Sequence, residues 1–230
     1  MGRDLRTPTR YAGLDMATAW LAGGSGLVGG VLLRRLLQDD SFTRVVSAGR
    51  RVLPQAHPKL TQVLVDFSNP GSLGAFDPPE VAFSCLGTTM KKAGSREAFR
   101  AVDCDAVLAF ARAAHAKGAR VFVHVSALGA NPRSRIFYNS VKGQIEEAVA
   151  RLGYTSVYAL RPSMLDGERE ESRSAERIGL TVMRALGPLL GKYRPTPVGA
   201  VTDAMIALAK APTPGAHMID AGVILKMYEK

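Results

Sequence analysis

A doubly wound α/β domain, with a parallel sheet covered by helices on both faces, is the fold this sequence predicts. Short apolar runs rich in Val, Leu and Phe alternate with stretches of helical periodicity. A glycine triplet follows the first of those runs. The 230 residues, 47% of them hydrophobic, can bury one good core.

The elements follow in order from Ala17. "ATAWLAGG" is a strand, and "GLVGGVLLRRLLQDD" repeats its apolar residues at helical spacing. "RVVSAGR", "LTQVLVDF" and "EVAFSCLG" are the next strands, and a long helical window runs from about Ser95 to Lys117. "RVFVHVSALG" is a strand, "FYNSVKGQIEEAVARLG" a helix stopped by Gly153, and "SVYALRP" a strand again. After Pro162 the rhythm loosens into a charged loop, an amphipathic helix with Ile178, Val182, Leu186 and Leu190, the helix "VGAVTDAMIALAKA" and a last strand, "AHMIDAG". A stretch of this length is short for a separate domain, so 162–230 is expected to form a small substrate-side cap within a single domain over 17–230. Residues 1–16 lack the apolar stretch of a secretory signal, and Arg6 breaks the myristoylation pattern; they read as a mobile tail.

Composition narrows the function classes. The formal net charge is +10, but the basic residues are dispersed among acidic ones rather than concentrated on one helix, which argues against nucleic acid. No apolar run reaches the eighteen or so residues of a membrane span. Only Cys85 and Cys104 are present, which suits a reducing compartment and predicts a cytoplasmic protein. The four histidines show no ligand spacing, so no metal is expected. A small-molecule substrate is the expected partner, and self-association is left open.

"AGGSGLVGG" places Gly23, Gly26 and Gly29 at the spacing of a dinucleotide loop, between a strand and a helix. Glycine there permits a tight turn and lets backbone amides approach a pyrophosphate. After the second strand the chain reads "SAGRR". Arg50 and Arg51 stand where a carboxylate would accept ribose hydroxyls, and their planar forks suit a 2′-phosphate, so NADP(H) is expected over NAD(H). Asp66 and Phe67, in "VDF" at the end of the third strand, are placed to reach the adenine, although an aspartate there is also a common helix cap.

"HVSALG" ends a strand at Ser126, and "YNSVK" places Tyr138 and Lys142 one helical turn apart on one face. A phenol with a pKa of roughly 10 exchanges protons poorly at neutral pH. A cation about 4 Å away, at an effective dielectric near 20, favours the phenolate by up to roughly 4 kcal/mol. Such a tyrosine can trade a proton with a substrate oxygen while a nicotinamide moves a hydride, with Ser126 holding that oxygen.

At these residues the chain resembles the short-chain dehydrogenase/reductase superfamily, and more narrowly its atypical branch. That branch includes the Tat-interacting protein family and bacterial NAD(P)-binding, epimerase-like proteins. The resemblance spans nearly everything after Met16 and rests on "AGGSGLVGG", "SCLGTT", "HVSALGA", "YNSVKG" and "LRPSMLDGEREESR" taken in order. It implies a Rossmann sheet with Gly23, Ser25, Gly26, Leu27 and Val28 as the phosphate loop. It also implies Cys85, Leu86 and Gly87 on the adenine-ribose side, Arg161 and Pro162 leading to the nicotinamide, and Ser126, Tyr138 and Lys142 as the catalytic set. The chain departs from that pattern at "AVDCDA": where many members place an asparagine of a proton relay, Asp103 or nothing takes the role. The short C-terminal region argues against epimerase activity on sugar nucleotides.

Other features have plainer readings. Lys91 and Lys92 read as a solvated loop, and Cys85 as a small buried residue rather than a reactive thiol. "DGEREESR" is either a lid or a helix cap. Two functions remain: an NADP(H)-dependent oxidoreductase, or an NADPH-binding regulatory or scaffold protein with little or no catalysis.

Overall fold

The computed structural model describes residues 17–69, 71, 77–166 and 194–229. Strand β1 (Ala17–Ala22) leads through a glycine turn into α1 (Leu27–Gln38), then β2 (Phe42–Gly49), β3 (Leu60–Leu64) and β4 (Val81–Ser84). Two short helices follow, α2 (Met90–Ala93) and α3 (Arg96–Arg100). A π-helical turn (Ala101–Asp105), α4 (Ala106–Ala116), β5 (Val121–Val125), α5 (Phe137–Ala150) and β6 (Ser156–Arg161) come next. The small strands β7 (Leu165–Asp166) and β8 (Thr196–Pro197) pair with each other; α6 (Val198–Lys210), β9 (Gly215–Asp220) and α7 (Ala221–Tyr228) complete the described chain.

The main sheet has seven strands in the order β3-β2-β1-β4-β5-β6-β9, every neighbouring pair parallel. Parallel strands need crossover helices, and the period-two alternation of each strand feeds two apolar layers. In β1, Ala19 and Leu21 face the layer of Leu32, Leu33 and Leu36 from α1 with Val201 and Met205 from α6. Trp20 and Ala22 face the other layer, with Phe110 from α4 and Val141, Ile145 and Val149 from α5. The chain reverses its direction of winding between β1 and β4, and ligands of such sheets bind outside the strand ends at that point.

Three differences from the sequence reading matter. The helical window of residues 95–117 is three pieces, α3, the π turn and α4, rather than one helix. The C-terminal strand is not part of a cap: β9 extends the main sheet beside β6, and α6 packs on α1. What remains of the expected cap, with most of "DGEREESR" and the helix around Ile178 to Leu190, falls on 167–193, outside the described residues, as does the tail of residues 1–16. Third, β3 ends at Leu64, so Asp66 lies past the strand and not at its end.

Candidate active site

A cavity of about 450 Å³ opens at the carboxyl ends of β1 to β4. Its floor is the turn between β1 and α1. Gly23 adopts φ +88°, and a Cβ there would sit 2.6 Å from the carbonyl carbon of Cys85, so only glycine fits. A Cβ at Gly29 would sit 2.1 Å from the Gly23 oxygen, which is how helix and turn close on each other. Gly26 is the N-cap of α1; no side chain caps this end and no acidic residue occupies its first turn. The N–H groups and the positive end of the helix are thus left open to an anion.

Gly23, Ser25, Gly26, Arg50 and Arg51 line the cavity, as do Asp66, Phe67, Cys85, Leu86 and Gly87. Among the described residues neither Arg50 nor Arg51 has a carboxylate partner, so both forks are available at the rim. Leu27 and Val28 begin α1, Val28 buried in the core and Leu27 partly buried against it, so what they can offer a phosphate is backbone N–H groups. Asp66 lines the cavity but spends Oδ1 on the N–H and hydroxyl of Ser68, at 2.9 and 2.7 Å; those hydrogen bonds hold its carboxyl below the usual range. Burial pushes the Cys85 thiol up to about 12, which makes it a wall residue and not a nucleophile. An open helix N-terminus, a turn that admits no side chain and two guanidinium groups without a carboxylate partner among the described residues fit the phosphates of a dinucleotide.

Behind the Cys85–Gly87 wall lies a set of buried charges. Lys142, on α5, forms an ion pair with Asp103 at 2.7 Å, and both side chains are buried. Asp103 also accepts the Thr88 N–H at 2.7 Å, and a Cβ on Gly87 would touch both partners of the pair. The π turn explains this placement: its wider winding points Asp103 at α5 while Ala101, Val102 and Asp105 border the cavity. At "AVDCDA" the geometry pairs Asp103 with the lysine. A paired ammonium projects the field of a dipole, so Lys142 offers Tyr138 less charge than the sequence reading assumes.

Tyr138 stands one turn before Lys142, half-buried, its ring 5.5 Å from that of Phe99. Its hydroxyl makes no hydrogen bond to any described residue. Ser126 follows β5 directly, and its N–H donates to the Leu160 carbonyl. Its hydroxyl donates to Glu146 at 2.5 Å. Glu146 also accepts from Arg161, Nε to Oε1 at 2.9 Å and Nη2 to Oε2 at 2.5 Å. Pro162 is buried, and its carbonyl accepts the Leu128 N–H. Ser126, Tyr138, Lys142, Arg161 and Pro162 do not line the cavity itself. His124, on β5, completes the cluster: burial first, then Lys142 and Arg161, pushes it down to about 3, so it is neutral.

Sequence reasoning missed Glu146. Its signal was the spacing Tyr138, Lys142, Glu146, three residues four apart on one helix face, but "QIEEAVA" reads as an ordinary solvated stretch. Among the described residues no helix is long and apolar enough to cross a membrane, and no group of three or more His, Cys, Asp or Glu is arranged to hold a metal.

A family described as NAD(P)H-binding matches residues 23–173. The protein fmp52, mitochondrial, of Emericella nidulans is 39% identical over 180 residues, which cover 75% of this chain and 77% of that protein. The protein HTATIP2 of Rattus norvegicus is 34% identical over 202 residues, 86% of this chain and 83% of that protein. Two solved structures share the fold at low identity. MoeE5 in complex with UDP-glucose and NAD has a TM-score of 0.68 at 16% identity, covering 91% of this chain and 80% of its own. The Bordetella bronchiseptica enzyme WbmH in complex with NAD+ has a TM-score of 0.68 at 17% identity, covering 93% and 80%. The chain is thus an NAD(P)-binding Rossmann-type protein. The cytoplasmic expectation is corrected: fungal relatives are named mitochondrial. Two free cysteines do not say which compartment holds the protein.

Proposed function

We propose that this chain, which belongs to the NAD(P)H-binding family of the short-chain dehydrogenase/reductase type, is an NADP(H)-dependent oxidoreductase acting on a small carbonyl or alcohol. The observation that carries the reading is the pairing of an open, glycine-built cavity with a buried, charge-matched cluster directly behind its wall. The N–H groups at the start of α1 would hold the pyrophosphate, Arg50 and Arg51 the 2′-phosphate, and Phe67 with Leu86 would flank the adenine-ribose side. When bound, the cofactor supplies or accepts the hydride. Tyr138 gives a proton to the substrate oxygen in reduction and takes one from the hydroxyl in oxidation. Lys142, fixed by Asp103, orients the site and binds the nicotinamide ribose, and Ser126 positions the substrate beside Tyr138.

The test is NADPH oxidation over a panel of aldehydes, ketones and quinones. Wild type should turn over at least one, and Tyr138→Phe should lose about 100-fold or more in kcat with NADPH affinity intact. Turnover unchanged by the substitution would remove the mechanism. A second reading, an NADPH-binding regulatory or scaffold protein with little or no catalysis, is favoured by one observation: the charge of Lys142 is already matched by Asp103. NADPH binding without turnover of any panel member would select it.

A further inference from the structure

Basic residues that are dispersed along the chain meet on one face of the fold. Helix α2 carries Lys91 and Lys92, α3 beside it carries Arg96 and Arg100, and the loop before α5 adds Arg133 and Arg135. All six are exposed. The two segments touch. The Arg96 guanidinium lies 5.1 Å from the centre of the Phe137 ring, at the start of α5, and Phe99 packs edge-on against the same ring at 5.9 Å. Arg100 Nη1 donates to Gln144 Oε1 at 2.6 Å. Within residues 86–101 and 130–144, Glu97 is the one acidic residue; the next, Asp105, borders the cavity. Much of the excess positive charge of the chain is therefore gathered here.

Apolar side chains stand among these cations. Met90, which opens α2, is 38% exposed, and Ile136, between Arg135 and Phe137, is 62% exposed. The loop that presents Ile136 is pressed onto α5. A Cβ on Gly143 would sit 2.2 Å from the Pro132 nitrogen, the Asn131 N–H donates to the Asn139 carbonyl, and the Ile136 N–H donates to Ser134 Oγ. The fold thus fixes an apolar side chain outward, beside a ring of cations. The phosphates of a nucleic acid would use the charge and leave Ile136 in water. A bilayer surface with anionic headgroups over acyl chains uses both.

We propose that this face docks on the surface of an anionic lipid bilayer, with Arg96, Arg133 and Arg135 at the headgroups and Ile136 entering the acyl boundary. The proposal stands independently of the oxidoreductase reading. Tyr138 follows Phe137 on α5, so the docked protein holds the start of that helix against the lipid.

The test is co-sedimentation with vesicles of phosphatidylcholine alone and of an equimolar mixture with phosphatidylglycerol. Wild type should bind the mixture about tenfold or more tighter than phosphatidylcholine. Arg133→Gln with Arg135→Gln should weaken that binding about tenfold or more, and Ile136→Ser about fivefold or more. Arg34→Gln with Arg120→Gln removes the same charge from exposed positions on α1 and before β5, and should weaken it less than about twofold. All these side chains are exposed, so Tm should stay at the wild-type value in each variant. In Ile136→Trp the emission should shift to the blue on the mixed vesicles, over a constant background from the fully buried Trp20. No preference for the mixed vesicles, equal losses from the two arginine pairs, or an emission that does not move overturns the proposal. A duplex oligonucleotide that displaces the vesicles, and whose affinity falls in Arg133→Gln with Arg135→Gln but not in Ile136→Ser, also overturns it and assigns the face to nucleic acid.

Discussion

The cavity beside β1 and the cluster under α5 are built from opposite materials. The floor of the cavity is backbone, shaped by glycines that no side chain could replace, and Arg50 and Arg51 sit at its rim without a carboxylate partner among the described residues. The cluster is made of side chains: Asp103 with Lys142, and Ser126 with Glu146 and Arg161, all closed on one another with little exposure. The first is ready for a charged ligand because its donors are unspent; the second is rigid because its donors are spent internally. Damage should therefore register differently. Changes in the cluster should strike stability first, and changes at the cavity rim should strike ligand affinity first.

The sharpest way to break that contrast is Lys142→Ala, which leaves Asp103 buried without its partner. It should cost about 3–5 kcal/mol in urea denaturation, and adding Asp103→Asn should recover more than half. A loss below about 1 kcal/mol would mean the pair is not buried as described. Gly29→Ala comes next. Its methyl must displace the Gly23 carbonyl, with a cost of about 1–3 kcal/mol and a fall in NADPH affinity well beyond the fall in stability, read by fluorescence titration.

His124 gives the cluster a pH signature. Above about pH 6.5 folded and unfolded chains both keep it neutral. As pH falls from there towards 3, the unfolded chain gains a proton that the folded chain refuses. Stability should then decline by about 1.4 kcal/mol per pH unit within that window. His124→Gln should flatten that part of the curve, and an unchanged slope would count against a neutral buried imidazole. The smallest effect belongs to the rim: Arg50→Ala with Arg51→Ala should weaken NADPH about tenfold more than NADH without lowering Tm. Equal losses for both cofactors would remove the preference for NADP(H).

The same division explains what could be read from the sequence. The glycine turn is local, so Gly23, Gly26 and Gly29 announce it, and the alternation of apolar runs announces the sheet. The cluster is assembled from distant residues: Ser126 and Arg161 lie 20 and 15 positions from Glu146, and nothing in "QIEEAVA" marks which glutamate faces inward. Asp103 could be named but not placed, because its aim depends on a π turn inside what reads as continuous helix. The last strand was legible as a strand, whereas its partner was not: β9 pairs with β6 across a long connection, a non-local choice that no local pattern encodes.

The most direct test is a crystal structure of the protein with NADPH bound. The account predicts the pyrophosphate on the N-terminus of α1, the 2′-phosphate at Arg50 and Arg51, and the nicotinamide ring within reach of the Tyr138 hydroxyl. A nicotinamide directed away from α5, with Tyr138 still packed on Phe99 and facing only protein, would contradict it.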